Sequence, residues 1–276
     1  MKNAATLRSP EVGGFFYPAE AGPLREMVEE FIRRVPPTTE RAPVMGLVSP
    51  HAGYQYSGAT AACGYAAVRH QAFDVVVVVA PSHREAFRGV SVYPGGGYRT
   101  PLGTVPVHED LREELVRETA VVRALDAGHR GEHAVEVQLP FLQTVLGPFS
   151  FLPIVMGEQD RAVCAELGRA LAATLKGASA LLVASTDLSH FHHDGLARRL
   201  DRVVAEDILR FDAEGLMDHL EQGDAEACGG GPTVAVMTAL RTLGATRMTV
   251  LHQCNSGDIT GDGSSVVGYL SAAAYA

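Results

Sequence analysis

The sequence predicts an α/β protein in three layers, with a largely parallel central sheet between two layers of helices. Three observations carry the prediction. Strand-sized apolar runs alternate with amphipathic stretches along the whole chain, the order that builds parallel sheets through helical crossovers. Val75 to Val79 are consecutive valines, and β-branched residues without apolar/polar alternation suit a strand buried on both faces. Three apolar runs also end on histidines: VMGLVSP before His51, VVVVVAPS before His83, and ALLVAST before Asp187 and His190. Ligands of open α/β sheets lie at the carboxyl ends of strands, so these runs would bring three imidazoles to one edge.

The elements follow in order. PAEAGPLREMVEEFIRRVPP reads as a helix with Leu24, Met27, Val28, Phe31 and Ile32 on one face, stopped by Pro36 and Pro37. VMGLVSP is the first core strand. After His51, AGYQYSGATAACGYAAVRH starts as a glycine-bearing turn and becomes a helix of small residues. FDVVVVVAPSH is the second core strand, and the glycine-rich GVSVYPGGGYRTPLGTVPV reads as hairpin. HEDLREELVRE is an amphipathic helix. EHAVEVQLPFLQTVLG reads as helix up to Leu139, with Pro140 a kink or restart. FSFLPIVMG is a strand, RAVCAELGRALAATLKG a helix, and ALLVASTDLSHFHH a strand with its loop. Leu196 to Leu220 is helical with one charged face. ACGGGP is a break, after which PTVAVMTALRTLG starts a helix with Pro232 in its first turn. TRMTVLHQCNSGD and SSVVGYLSAAAYA close the chain as strands. No linker, repeat or low-complexity tract divides residues 1–276, so one domain is expected.

The net charge of −9 and the lack of a basic stripe argue against nucleic acid or an anionic membrane surface. No apolar stretch approaches the ~20 residues of a membrane span, and MKNAATLRSPEVGG lacks the apolar core of a secretory signal. Cys63, Cys164, Cys228 and Cys254 form no CxxC pair, which fits a reduced cytoplasm better than a disulfide framework. The expectation is a cytoplasmic protein with a small-molecule substrate.

One loop histidine after a strand needs no function, because backbone hydrogen bonds account for it. His51 and His83 occupy the same position after two strands, and neutral imidazole is the commonest metal-binding side chain. Asp187 and His190 form a second pair in STDLSHF. A carboxylate holding one ring nitrogen leaves the other as a base or ligand, although Asp187 is equally suited to capping the turn. His192 and His193 carry less weight, being suited to solvent. Cys228 precedes a glycine turn and a helix start, where backbone N–H groups and the helix dipole favour a thiolate. Its alternative is a small packing residue, the reading given to Cys63 and Cys164. His133 and Glu136 share a helix face and form either a structural pair or an extension of the site. Asp258, in NSGD, is a ligand or a cap.

GGFFYP, PHAGYQYSG, APSH, TPLG, GEHAVEVQLPFLQ, STDLSHF, ACGGGP and NSGD, in that order from Gly13 to the C-terminus, closely resemble the Memo family. Prokaryotic members are often named protein B of the AmmeMemoRadiSam system, and the family is similar in fold to the class III extradiol, LigB-like, dioxygenases. The resemblance implies metal ligands at His51, His83 and Cys228, with Asp187 and His190 beside them as the catalytic pair. It implies Fe(II) first, copper next and zinc less, and AMMECR1-like and radical SAM proteins as partners. Those dioxygenases use two histidines and a carboxylate; a cysteine in the third position softens the site and brings ring-opening chemistry into question. The expected function is a metal-dependent oxidoreductase of this non-haem type. The alternatives are an adaptor that keeps the pocket and a zinc-dependent hydrolase.

Overall fold

The computed structural model describes residues 6–276. In chain order these form β1 (Leu7–Arg8), α1 (Ala21–Arg34), β2 (Val44–Ser49), α2 (Tyr54–Ala67), β3 (Val75–Pro81), β4 (Val90–Val92), β5 (Gly97–Thr100) and β6 (Gly103–Pro106). Then come α3 (Glu109–Glu118), β7 (Val122–Ala124), a 3₁₀ turn (Glu136–Gln138), α4 (Leu139–Leu146), β8 (Phe151–Met156), α5 (Arg161–Thr174) and β9 (Ala180–Ser185). The last third holds β10 (His190–His192), α6 (Asp194–Arg210), α7 (Ala213–Gln222), α8 (Gly230–Leu243), β11 (Arg247–Asn255), α9 (Ser256–Thr260) and β12 (Val266–Tyr275).

The architecture is α/β, built on a large mixed sheet whose centre, β2-β9-β3-β8, is wholly parallel. β12 adds antiparallel to β2, and β10 and β11 pair with β12. At the other edge β4 runs antiparallel to β8 and carries β7. A separate small sheet, β1-β5-β6, contains the β5–β6 hairpin.

The valine run explains itself once the two cores are separated. Val75, Val77 and Val79 pack into the core with α5 and α8, while Val76, Val78 and Ala80 pack into the core with α1, α2 and α4. Each valine is fully buried, worth roughly 1.5–3 kcal/mol apiece relative to exposure. A polar residue at any of these positions would sit in one core or the other, so alternation has no place here.

Several local expectations are corrected. The helix expected up to Leu139 is only a 3₁₀ turn over Glu136–Gln138 that feeds α4; of the two readings of Pro140 the restart holds, since it lies in the first turn of α4, where its missing N–H costs nothing. The helix expected over Leu196–Leu220 is two helices. Phe211 adopts the left-handed conformation at the end of α6, and Asp212 caps α7 by accepting from the Gly215 N–H at 2.9 Å. Only part of the glycine-rich segment is hairpin, since β4 joins the main sheet. α8 begins at Gly230, two residues before Pro232. No helix among the described residues is long and apolar enough to cross a membrane.

Candidate metal centre

The parallel strands β2, β3 and β9 all point the same way, so the loops after Ser49, Pro81 and Ser185 meet at one edge. β9 lies between β2 and β3, and its last residue, Ser185, meets the His51 ring. The ring centroids of His51 and His83 are 5.1 Å apart, nearly perpendicular. Cys228 comes from the loop before α8, and its Sγ lies 3.2 Å from His51 Nε2. One donor atom each from His51, His83 and Cys228 lies within 4.8 Å of the others, so this group could hold a metal ion. With bonds of ~2.1 Å to nitrogen and ~2.3 Å to sulfur, a tetrahedral site has an N···S edge of about 3.6 Å, close to the spacing seen.

The proton inventory fixes the tautomer of His51. Gln138 spends its amide hydrogens on the Pro50 carbonyl (3.0 Å) and Ser185 Oγ (2.7 Å), while its oxygen accepts from the Tyr65 hydroxyl (2.6 Å). Ser185 donates its own hydrogen to the Ala134 carbonyl at 2.7 Å. Toward His51 Nδ1, at 2.9 Å, Ser185 is therefore an acceptor, and Nδ1 carries the hydrogen. Nε2 is left with its lone pair facing Cys228. Burial, and then the neighbouring His133 and His83, hold the His51 pKa well below the usual imidazole value, so it stays neutral. The residues present fit a divalent metal.

Glu132 does the same for His83. Its Oε2 accepts the His83 backbone N–H at 2.6 Å and its Oε1 accepts from His83 Nδ1 at 3.0 Å. Oε1 also accepts the backbone N–H groups of His133 (2.8 Å) and Ala134 (2.9 Å), and lies 3.2 Å from His133 Nδ1. Burial opposes this charge, but the bonds from His133 and His83 outweigh it and hold the carboxyl far below its ordinary range. His133 thus belongs to the cluster, its ring 4.7 Å from His83 and 5.4 Å from His51, with Phe16 edge-on at 4.9 Å.

Asp187 is buried at the same edge. Its Oδ1 accepts the His51 N–H at 2.8 Å and its Oδ2 lies 4.0 Å from His51 Nε2. Burial raises its pKa. Its bond goes to the His51 turn, the capping alternative, with none to His190 among the described residues. His190 is half-buried, its N–H donating to Glu226 Oε1 at 2.9 Å. It is a near enough neighbour to perturb both His51 and Asp187. Cys228 departs from the expectation of a ready thiolate: burial, and then Asp187, push its thiol up to about 12, despite N–H groups from Asp187 and Gly229. The thiol proton and a cation compete for the same lone pairs.

The other candidates lie elsewhere. Glu136 does not pair with His133. It is fully buried against Arg8 (2.6 Å) and the Tyr17 hydroxyl (2.5 Å), and it accepts from the backbone of Glu11 and Val12. His192 pairs with Glu226 at 2.7 Å, His193 caps α6, and Asp258 completes the capping box of α9 and pairs with Arg198 at 2.7 Å. Sequence reasoning missed Glu132, Ser185, Gln138 and Glu226. Glu132 had a signal, standing next to His133 and one residue from the glycine of GEHAVEVQ; the other three had none.

A family model described as "Memo-like protein" matches residues 8–273. MEMO1 family proteins of Methanosarcina mazei and Thermotoga maritima are 39% and 37% identical over 268 and 276 residues, covering 95% and 96% of this chain and 97% and 98% of theirs. A MEMO1 family protein of Thermoplasma volcanium is 34% identical over 266 residues, covering 96% of this chain and 97% of its own. The fold is also similar to the crystal structure of the uncharacterized protein JW3007 from Escherichia coli K12. That likeness has a TM-score of 0.54 at 18% identity and covers 84% of this chain and 99% of the other. With a match that runs from β1 into β12, and full-length relatives above one-third identity, this chain belongs to the Memo-like protein family.

Proposed function

We infer that the protein is a metal-dependent oxidoreductase of the non-haem extradiol-dioxygenase type, acting on a small molecule at the His51, His83 and Cys228 group. The observation that carries this reading is the fixed tautomer of His51: Ser185 takes Nδ1–H, so Nε2 faces the Cys228 sulfur with its lone pair free. Iron(II) held by this set would supply a redox centre with positions left open for substrate and oxygen, and copper also suits the thiolate.

The chain's own residues supply the rest. Ser185 and Glu132 hold the two imidazoles in place, so their orientation is set before any metal arrives. His190, half-exposed at the rim, is the residue we assign to moving a substrate proton. Asp187 keeps the His51 turn in place by accepting its N–H.

The test is anaerobic purification with metal analysis, followed by a metabolite screen with and without oxygen. Iron or copper with oxygen-dependent loss of one metabolite supports the reading; zinc with oxygen-independent hydrolysis replaces it. His51→Ala and His83→Ala should each lose most of the bound metal while staying folded. His190→Ala should keep the metal and lose turnover by ~10²–10⁴-fold. Should His190→Ala lose the metal instead, His190 is a ligand.

A further inference from the structure

We propose that Phe191 is a platform for a planar aromatic ring carried by the molecule that binds at the metal centre. This deepens the function proposed above and rests on it. The backbone supplies the first observation. Phe191 has φ +60°, the left-handed region, where a bulky side chain is a true outlier. Phe211 shares that conformation at φ +57°, but its ring is 4% exposed, the Arg241 guanidinium lies 4.1 Å over it, and it ends α6. Packing offsets the strain there. The Phe191 ring is 77% exposed, so folding gains little from holding it in a disfavoured conformation. Strain without a folding return points to a ligand.

The second observation is a clamp. Glu226 accepts the His190 N–H at 2.9 Å with one oxygen and pairs with His192 Nε2 at 2.7 Å with the other. One carboxylate therefore fixes the residues on both sides of Phe191, and it stands two positions before Cys228. The register slip against β12 between His190 and His192 presents Phe191 as a bulge, a device that re-aims a side chain. The ring stands edge-on to His190, with centroids 5.7 Å apart.

Phe15 gives the third. It is 84% exposed and adjoins Phe16, which flanks His133. The two most exposed large apolar side chains among the described residues thus stand next to Phe16, which packs on His133, and next to His190. An exposed ring one residue from His190 favours a ring-bearing ligand over a small polar one, because only a ring can stack.

Two metal-chelating probes separate the ring from the metal. Titrate Co(II)-loaded protein anaerobically with para-nitrocatechol and, in parallel, with acetohydroxamate, which has no ring. Phe191→Ala should weaken para-nitrocatechol by about threefold to tenfold and leave acetohydroxamate unchanged. The sequence has no tryptophan, so Phe191→Trp installs a single reporter. Its emission should respond to para-nitrocatechol and not to acetohydroxamate. Phe191→Gly, free to adopt positive φ, should keep metal stoichiometry and a Tm at or above wild type.

Unchanged para-nitrocatechol affinity in Phe191→Ala overturns the proposal. So does equal weakening of both probes, or a fallen Tm in Phe191→Gly, either of which would make Phe191 a loop-shaping residue. Wild type that binds acetohydroxamate but not para-nitrocatechol removes the ring and leaves the metal centre standing. Wild type that binds neither defeats the proposed function as well.

Discussion

Replacing Glu132 with Gln exchanges one oxygen for an NH₂ and should cost the protein most of its grip on a metal. Glu132 is 2% exposed, and its oxygens take three backbone N–H groups and one or two imidazole N–H groups. The substituted amide would have to put its NH₂ where one carboxylate oxygen was. At the Oε1 position it would confront His83 Nδ1–H and the N–H groups of His133 and Ala134. At the Oε2 position it would confront only the His83 N–H, so it should turn that way. The variant then loses one buried bond, about 1–3 kcal/mol of stability, and its remaining bonds to the imidazoles lose their charge assistance. Partners that orient a ligand histidine are typically worth 10–100-fold in metal affinity, or roughly 1.4–2.7 kcal/mol. The assay is Co(II) or Zn(II) titration under argon in competition with a chromophoric chelator, with urea unfolding of the apo proteins in parallel. Wild-type affinity in a folded Glu132→Gln protein would refute the view that this carboxylate sets the His83 ring.

Three further predictions follow from the same site and its supports. Because burial holds the Cys228 thiol at about 12 while His51 stays neutral, binding a metal at neutral pH should expel the thiol proton. Affinity should therefore rise by about tenfold per pH unit across the neutral range, and Cys228→Ser should flatten the slope; an identical slope in that variant, read by metal titration at several pH values, would exclude Cys228 as a ligand. A Cβ on Gly229 would fall inside contact distance of the Ser185 carbonyl oxygen and the Thr186 side chain, so Gly229→Ala should lose ~1–3 kcal/mol and bind metal more weakly, by urea unfolding and metal titration. Glu136→Ala leaves the Arg8 guanidinium buried without its carboxylate, and should lower unfolding free energy by about 3–5 kcal/mol while leaving metal affinity within a few-fold of wild type.

The legible parts of this molecule were those written in one stretch of chain. Val75–Val79 had to be a doubly buried strand, and the histidines after β2 and β3 had to emerge at one edge. What lay between them was not legible: β9 is remote in sequence, and nothing local says that it inserts between β2 and β3. Ser185 illustrates the loss. It looks like any strand-end serine, and becomes the partner of His51 only through that insertion. Cys228 shows the other limit. A glycine turn and helix start argue for a thiolate, but the depth of burial that reverses the argument is a tertiary quantity. Pro140 left two readings open, because a proline inside an apolar pattern can kink one helix or open the next, and the structure takes the second.

The insertion of β9 also bears on the order in which this protein can be made. His51 is held by a serine from β9, which a glutamine from before α4 holds in turn, and it faces a sulfur from before α8. These partners are far apart in the chain, so no early fragment holds the set, and closing such distant loops is slow. A metal cannot nucleate this fold as it does a zinc finger. An ion bound there would enter a finished scaffold, and stripping it with a chelator should leave the backbone, amide protection included, where it was.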